Sequence, residues 1–168
     1  PYLPSFILVL GFDWDLDCSK KIKQSRNQIK KRALILNAAE RVFARYGFSG
    51  SRLKEIAEEA GLPKANILYY YKSKEALYRY VCQDILENWL SAIGDISESS
   101  EPSEALRNYI EAKMELSIRR PNASRVFAME IISGAPVIGD YLANELKSWV
   151  DNHAIIFSAW QKRGQLAD

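Results

Sequence analysis

The segment SRLKEIAEEAGLPKANILYYYKSKEAL, residues 51–77, decides how the chain folds. Within it Leu53, Ile56, Ala57 and Ala60 fall at i, i+3, i+4 and i+7, the spacing of one buried helical face. Ser51 is the expected cap of that helix and Gly61 its stop. Leu62-Pro63 then leads into a second short helix ending at Tyr71, with Pro63 suited to a cap or first-turn position. Lys72-Ser73 breaks the pattern, and Ser73 caps the next helix.

Working upstream, Lys20–Arg32 holds seven basic residues. It gives way to Ile35, Ala39, Val42, Phe43 and Tyr46 at helical spacing, with Gly47 as a C-terminal stop. A supporting helix followed by two short helices across a tight glycine turn is the geometry of a helix-turn-helix. That geometry projects one helix into the DNA major groove while the other two form a core behind it. Phe43, Leu53, Ile56, Leu62 and Ile67 supply the expected core, and Ala57 and Ala60 let the helices approach.

The helix Lys64–Tyr71 has few apolar anchors and many hydrogen-bonding tips. Lys64 and Asn66 suit base edges, Lys pairing with guanine and Asn with adenine. Tyr69 and Tyr70 carry hydroxyls suited to phosphate, whereas Tyr71 is in phase with Ile67 and is expected to pack inward. Three successive tyrosines cannot share one core, because each helical step turns by about 100°. At least one is therefore exposed, in basic surroundings.

Charge supports this division. The overall balance is only +2, yet residues 20–80 hold 15 Lys/Arg against 5 Asp/Glu, and residues 81–168 hold 8 against 13. A basic first half on an acidic second half points to a polyanion meeting only one of them. With a single histidine (His153) and two isolated thiols (Cys18 and Cys82), no metal cluster or His-based triad can be assembled. No phosphate-cradling glycine loop or paired nucleophile is present either, so an enzyme is not expected, nor any cofactor. The apolar run Ser5–Leu10 is too short to span a bilayer and lacks the flanks of a signal peptide. Residues 1–19 are set aside as an uncertain extension, and a reducing cytoplasm is the expected location.

Beyond Ser73, Leu77, Val81, Ile85 and Trp89 mark a long fourth helix, followed by a polar loop over Asp95–Ser103. Leu106, Ile110 and Met114 define a fifth helix stopped by Pro121, and Asn122–Ser133 a short sixth. Gly134-Ala135-Pro136 precedes a seventh running to about Arg163. The fold class is all-α: a basic arm plus reading domain over 20–73, then a helical effector-binding and dimerisation domain over 74–168.

Ile35-Leu36-Asn37-Ala38-Ala39, Phe43, Gly47-Phe48, Ile56–Gly61 and Tyr69–Leu77 together closely resemble the DNA-binding domain of the tetracycline-repressor (TetR) family. The resemblance implies phosphate contacts from Ser51, Arg52 and Lys54. It implies base-facing positions at Lys64, Ala65, Asn66 and Leu68, and backbone contacts from Tyr69, Tyr70 and Lys74. Leu68 stands where many members have an aromatic, which favours a methyl or sugar contact there.

Trp89, Pro121–Glu130, Gly134-Ala135-Pro136 and Trp160 look like the family's pyrimidine-utilisation branch, implying uracil or thymine as effector. Members continue for two more helices past the point matching Asp168, helices that build a homodimer's four-helix bundle, so the sensor domain is expected here in part.

Each remaining candidate has a plainer reading beside the functional one. The basic arm is either a solvated tail or a backbone and minor-groove contact. Glu130 shares a face with Val126 and Phe127, where it either binds an effector's N–H or pairs with an arginine such as Arg125. Trp89 and Trp160 either stack on a flat heterocycle or belong to the core. Met114 and Met129 read as core packing, and His153 as a surface residue. The leading function is a ligand-released repressor on a palindromic double-stranded operator, with no membrane partner. The alternative is a helical protein-interaction or anionic-surface-binding module without effector sensing.

Overall fold

Helix α1 (Arg26–Gly50) takes in the end of the basic arm and then buries Ile35, Ala38, Ala39, Val42 and Phe43 along one face. The structure is a computed structural model that describes residues 26–91 and 96–167. The extension 1–19, Cys18 and the arm's first residues lie outside the described residues. Gly47, at φ 68° and ψ 177°, breaks α1 where the sequence predicts a stop, and one further turn to Gly50 follows beyond the kink. A side chain there would also press on α6, since a Cβ on Gly47 would lie 3.1 Å from the Met129 methyl, which would have to give by a few tenths of an ångström. Tyr46, expected on the core face, is 49% exposed; the kink directly after it turns the chain away from the core.

Helix α2 (Leu53–Ala60) buries Ile56 and Ala57. Its cap is not Ser51 as expected but Arg52, whose own N–H is accepted by Glu55 Oε2 at 2.9 Å. Ser51 is buried instead, and its hydroxyl donates to the Phe48 carbonyl at 3.0 Å. At the other end Gly61 takes the left-handed conformation, φ 63°. Leu62 N–H closes on Ala57 O at 3.0 Å and Gly61 N–H on Glu58 O at 3.1 Å, which satisfies two orphan carbonyls.

Helix α3 (Lys64–Tyr71) starts after Pro63, and Lys72 at φ 59° turns the chain out of it. Ser73 Oγ accepts from Ala76 N–H at 3.0 Å, capping α4 (Lys74–Ser91) as the sequence predicts. Helix α5 (Pro102–Arg119) is capped by Glu101, whose carboxylate accepts from Glu104 N–H at 2.8 Å. Helix α6 (Pro121–Ile132) starts at the proline expected to stop α5, one residue before the predicted Asn122. The predicted seventh helix comes in pieces: α7 (Gly139–Tyr141), a π-helical segment (Leu142–Leu146) and α8 (Lys147–Lys162). Among the described residues there is no strand, in agreement with the all-α expectation.

One core joins the reading helices to the second half. Ile56, Ile67, Tyr71, Leu77, Val81 and Ile85 pack with the α1 face, and Ala123, Val126 and Ile138 complete the same cluster. Burying a side chain the size of Phe43 contributes about 1.5–3 kcal/mol. Because α6 packs on both α1 and α4, the reader is seated on the second half rather than hung from it. Helix α5 is different. Ile110 and Met114, in phase and expected inside, are 54% and 60% exposed, because no described element covers that face.

Candidate nucleic-acid interface

Helix α3 is held by two buried side chains, Ile67 and Tyr71, one helical turn apart. Everything else on it is turned outward to some degree: Lys64, Ala65, Leu68 and Tyr69 are exposed, and Asn66 and Tyr70 are half-buried. Tyr69 reaches 73% exposure, while Tyr71 is buried as the 100° rotation argument requires. Tyr69 and Tyr70 meet edge to face at 5.1 Å, which fixes both rings without spending their hydroxyls on the core. The α3 surface therefore offers one ammonium, one amide and two phenols on a rigid short helix.

Arg52 and Lys54 at the start of α2 are exposed. A helix start also carries unpaired N–H groups and a partial positive charge, the ordinary setting for phosphate. Ser51 lies beside them but is buried, with its hydroxyl already donated. Lys74, at the start of α4, donates to the carbonyls of Phe48 at 2.8 Å and Ser51 at 3.1 Å, and lies 4.4 Å from the centre of the Phe48 ring. Two of its three donors thus clamp the α1–α2 turn onto α4, leaving one for any phosphate.

The end of the basic arm is not a loose tail. Arg32 places its guanidinium 5.7 Å from the Tyr71 ring centre and 6.0 Å from that of Tyr80, tying the start of α1 to the end of α3. Burial raises the Tyr71 phenol above its ordinary ionisation range despite that nearby cation, so it stays neutral.

The three aromatic and acidic residues expected around an effector sit among separate neighbours. Glu130 is buried, but it pairs neither with Arg125 nor with a vacant space. Its carboxylate accepts Val137 N–H at 2.8 Å and Ile138 N–H at 3.1 Å, because Gly134 and Ala135, both at positive φ, fold the loop back over it. Tyr78 and Cys82 lie against the same carboxylate. Burial, reinforced by that negative charge, pushes the Cys82 thiol up to about 12, and burial raises the Tyr78 phenol above its ordinary range as well. Trp160 is fully buried, packed edge-on against Phe157 at 5.2 Å, and its indole N–H donates to Glu98 O at 3.2 Å. Trp89 alone is half-buried, packed on Phe127 at 4.9 Å with the Lys113 ammonium 5.0 Å from its ring centre.

Sequence reasoning missed Arg120. It sits between α5 and α6, and its guanidinium bonds Glu40 of α1 and, at 2.8 Å, Asp84 of α4. Only the Arg119-Arg120-Pro121 run hinted at it, and nothing local said which arginine turns inward.

Comparison with known proteins agrees with this layout. Residues 35–81 match the family described as bacterial regulatory proteins, tetR family, and residues 82–168 match the YcdC-like protein, C-terminal region. The HTH-type transcriptional regulator RutR of Escherichia coli O157:H7 is 44% identical over 86% of this chain and 68% of its own. The HTH-type transcriptional repressor NicS of Pseudomonas putida is 31% identical over 57% of this chain and 46% of its own. A TetR family transcription regulator from Marinobacter aquaeolei VT8 superposes with a TM-score of 0.70 at 24% identity, covering 82% of this chain and 72% of the other. No helix among the described residues is long and apolar enough to cross a membrane. An outward helix on a three-helix support, fused to a second helical unit and matched along nearly its whole described length, places this chain in the TetR family of bacterial DNA-binding transcriptional regulators.

Proposed function

We propose that α3 reads operator DNA in the major groove and that the second half releases it on binding a small planar effector. The observation that carries the reading is the exposure of Lys64, Ala65, Leu68 and Tyr69 on a helix whose Ile67 and Tyr71 are locked inside. Lys64 and Asn66 supply base contacts, and Ala65 and Leu68 supply apolar ones. Arg52, Lys54, Tyr69 and Tyr70 hold phosphates, with Lys74 adding its one remaining donor and Ser51 acting through its position beside Arg52.

Two copies would set their α3 helices about 34–36 Å apart, one turn of DNA, and so read a palindrome. Uracil or thymine is the effector suggested by the resemblance to the pyrimidine-utilisation branch. With the polar atoms of Glu130 and Trp160 bonded inside the chain, Trp89 is the aromatic best placed to meet such a ring. Effector control requires unequal affinity for two arrangements, only one of which has the right spacing. The setting is a cytoplasmic repressor.

The test is selection of bound duplexes from a random pool, followed by titration with uracil and thymine across a salt series. A palindrome should emerge, with affinity falling steeply with salt and falling again when the pyrimidine is added. Equal binding to every duplex, or binding only to anionic vesicles, would remove the reading in favour of a surface-binding module.

A further inference from the structure

Helices α3 and α4 are joined through a strained turn centred on a lysine. Lys72 stands at φ 59° and ψ −43°, and Ser73 N–H donates across it to Tyr71 O at 2.6 Å. Those angles, with that bond, approximate the γ-turn of the rare, strained hand. Its neighbours hold it there. Tyr71 is locked in the core on one side, and on the other Ser73 caps α4 by accepting from Ala76 N–H at 3.0 Å. Lys72 N–H is itself bonded to Leu68 O at 3.0 Å, so the backbone cannot relax without giving up one of these contacts. Glycine takes positive φ at no steric cost, whereas a residue with a Cβ does not. The turn itself gains nothing from a lysine, and the side chain is the part left to explain.

That side chain is exposed, and no hydrogen bond, ion pair or ring contact among the described residues engages it. Several other cations of the reader are committed within the chain. Lys74 spends two donors on carbonyls, Lys54 lies 3.7 Å from Glu58, and Arg32 lies over two tyrosine rings. Glu75, the nearest carboxylate along the chain, is engaged by Ser73 and by its own amide rather than by Lys72. Position matters as much as freedom. Lys72 follows Ala65, Leu68 and Tyr69 at i+7, i+4 and i+3, the exposed row of α3. The eight residues of α3 span about 12 Å, so Lys64 and Lys72 bracket the reading face from its two ends.

We propose that Lys72 is a further DNA-binding residue, a phosphate clamp at the exit of α3 that grips the strand beside the bases faced by Lys64 to Leu68. Its flexible ammonium suits a phosphate oxygen, which asks for charge rather than planar geometry. Because the γ-turn lies between the reading helix and α4, the contact also ties the DNA backbone to the start of α4. The inference rests on α3 lying in the groove and adds a residue that sets affinity without reading sequence.

Binding of the full chain to its selected operator duplex tests it, by anisotropy on wild type, Lys72→Gln, Lys72→Arg and Lys72→Gly across a salt series. Each phosphate neutralised contributes about 0.9 to the slope of log affinity against log salt. Lys72→Gln should therefore lower that slope by about 0.9 per bound copy, and weaken binding about eightfold at 0.1 M salt but only about twofold at 0.5 M. The selected sequence should stay the same, and Lys72→Arg should keep most of the affinity. Lys72→Gly should lose as much affinity as Lys72→Gln while melting no lower than wild type, because it relieves the turn. A merely structural lysine would not separate affinity from melting in this way.

An unchanged slope in Lys72→Gln, with operator still bound, overturns the clamp and leaves the groove reading intact. Equal loss at every salt concentration overturns it too, since that marks lost packing rather than a lost phosphate contact. Wild type that binds no duplex removes the groove reading and the clamp with it.

Discussion

Lys64 and Lys74 carry the same charge on the same side of the reader, but their surroundings give them different work. Lys64 is exposed at the start of α3, whereas Lys74 has two carbonyls and a phenyl ring within reach. Lys64→Ala should flatten preference at one base pair by about 1–3 kcal/mol and leave the melting temperature in place. Lys74→Met should weaken binding to all duplexes and also cost about 1 kcal/mol of stability, because the Phe48 and Ser51 carbonyls lose a charged donor. Anisotropy on operator variants together with thermal melts separates the two; a Lys74→Met protein with unchanged melting would show that the clamp is idle. Cys82 makes a second point at this scale. Buried beside Glu130, with its thiol raised to about 12, it should resist a thiol reagent at pH 8 in the native protein. It should react only on unfolding, as measured in a Cys18→Ser background. Rapid native labelling would contradict the packing described.

Helix boundaries show how short elements are made definite. Helix α2 has only eight residues, too few to persist alone, and depends on its ends and its partners. Its C-terminal end relies on Gly61 at φ 63°, with nothing within 4 Å of where a Cβ would be. Gly61→Ala is therefore a test of backbone strain without steric clash, and should cost about 1–2 kcal/mol in a denaturant titration. A neutral effect would mean that the turn relaxes into another conformation. The two ends of α2 also differ in legibility. Gly61 is readable because left-handed backbone favours glycine, whereas Ser51 has the residue type of a cap without serving as one. A serine one residue before a helix cap can equally turn its hydroxyl back to the preceding turn, and here it does so, to Phe48.

Across the whole molecule, Arg120 holds three parts in register: α1 through Glu40, α4 through Asp84, and the α5–α6 corner by its own backbone. Glu40 is 12% exposed, so removing its partner leaves a largely buried carboxylate uncompensated. Arg120→Met should destabilise by about 1–3 kcal/mol after allowance for the more exposed Asp84 side, and should lower operator affinity and effector response together. Restoration by the double variant Arg120→Met with Glu40→Gln would show that the stranded charge is the cause. Loss of operator affinity with no loss of stability would instead assign Arg120 to DNA contact.

What the sequence determined on its own was local: the all-α class, the three-helix reader, the outward Tyr69 against the inward Tyr71, the Gly61 turn and the Ser73 cap. Each comes from periodicity or from backbone preference within a few residues. Tertiary structure alone decided which side chains meet across long separations. Examples are Arg120 with Glu40, Glu130 with the amides of the loop after it, and the Lys113 ammonium over Trp89. Periodicity gives a face but not its neighbour, so it placed Ile110 and Met114 inside when no described element covers them. A charged group's partner depends on the packing of whole helices, and that is set by the shared core rather than by any short stretch of sequence.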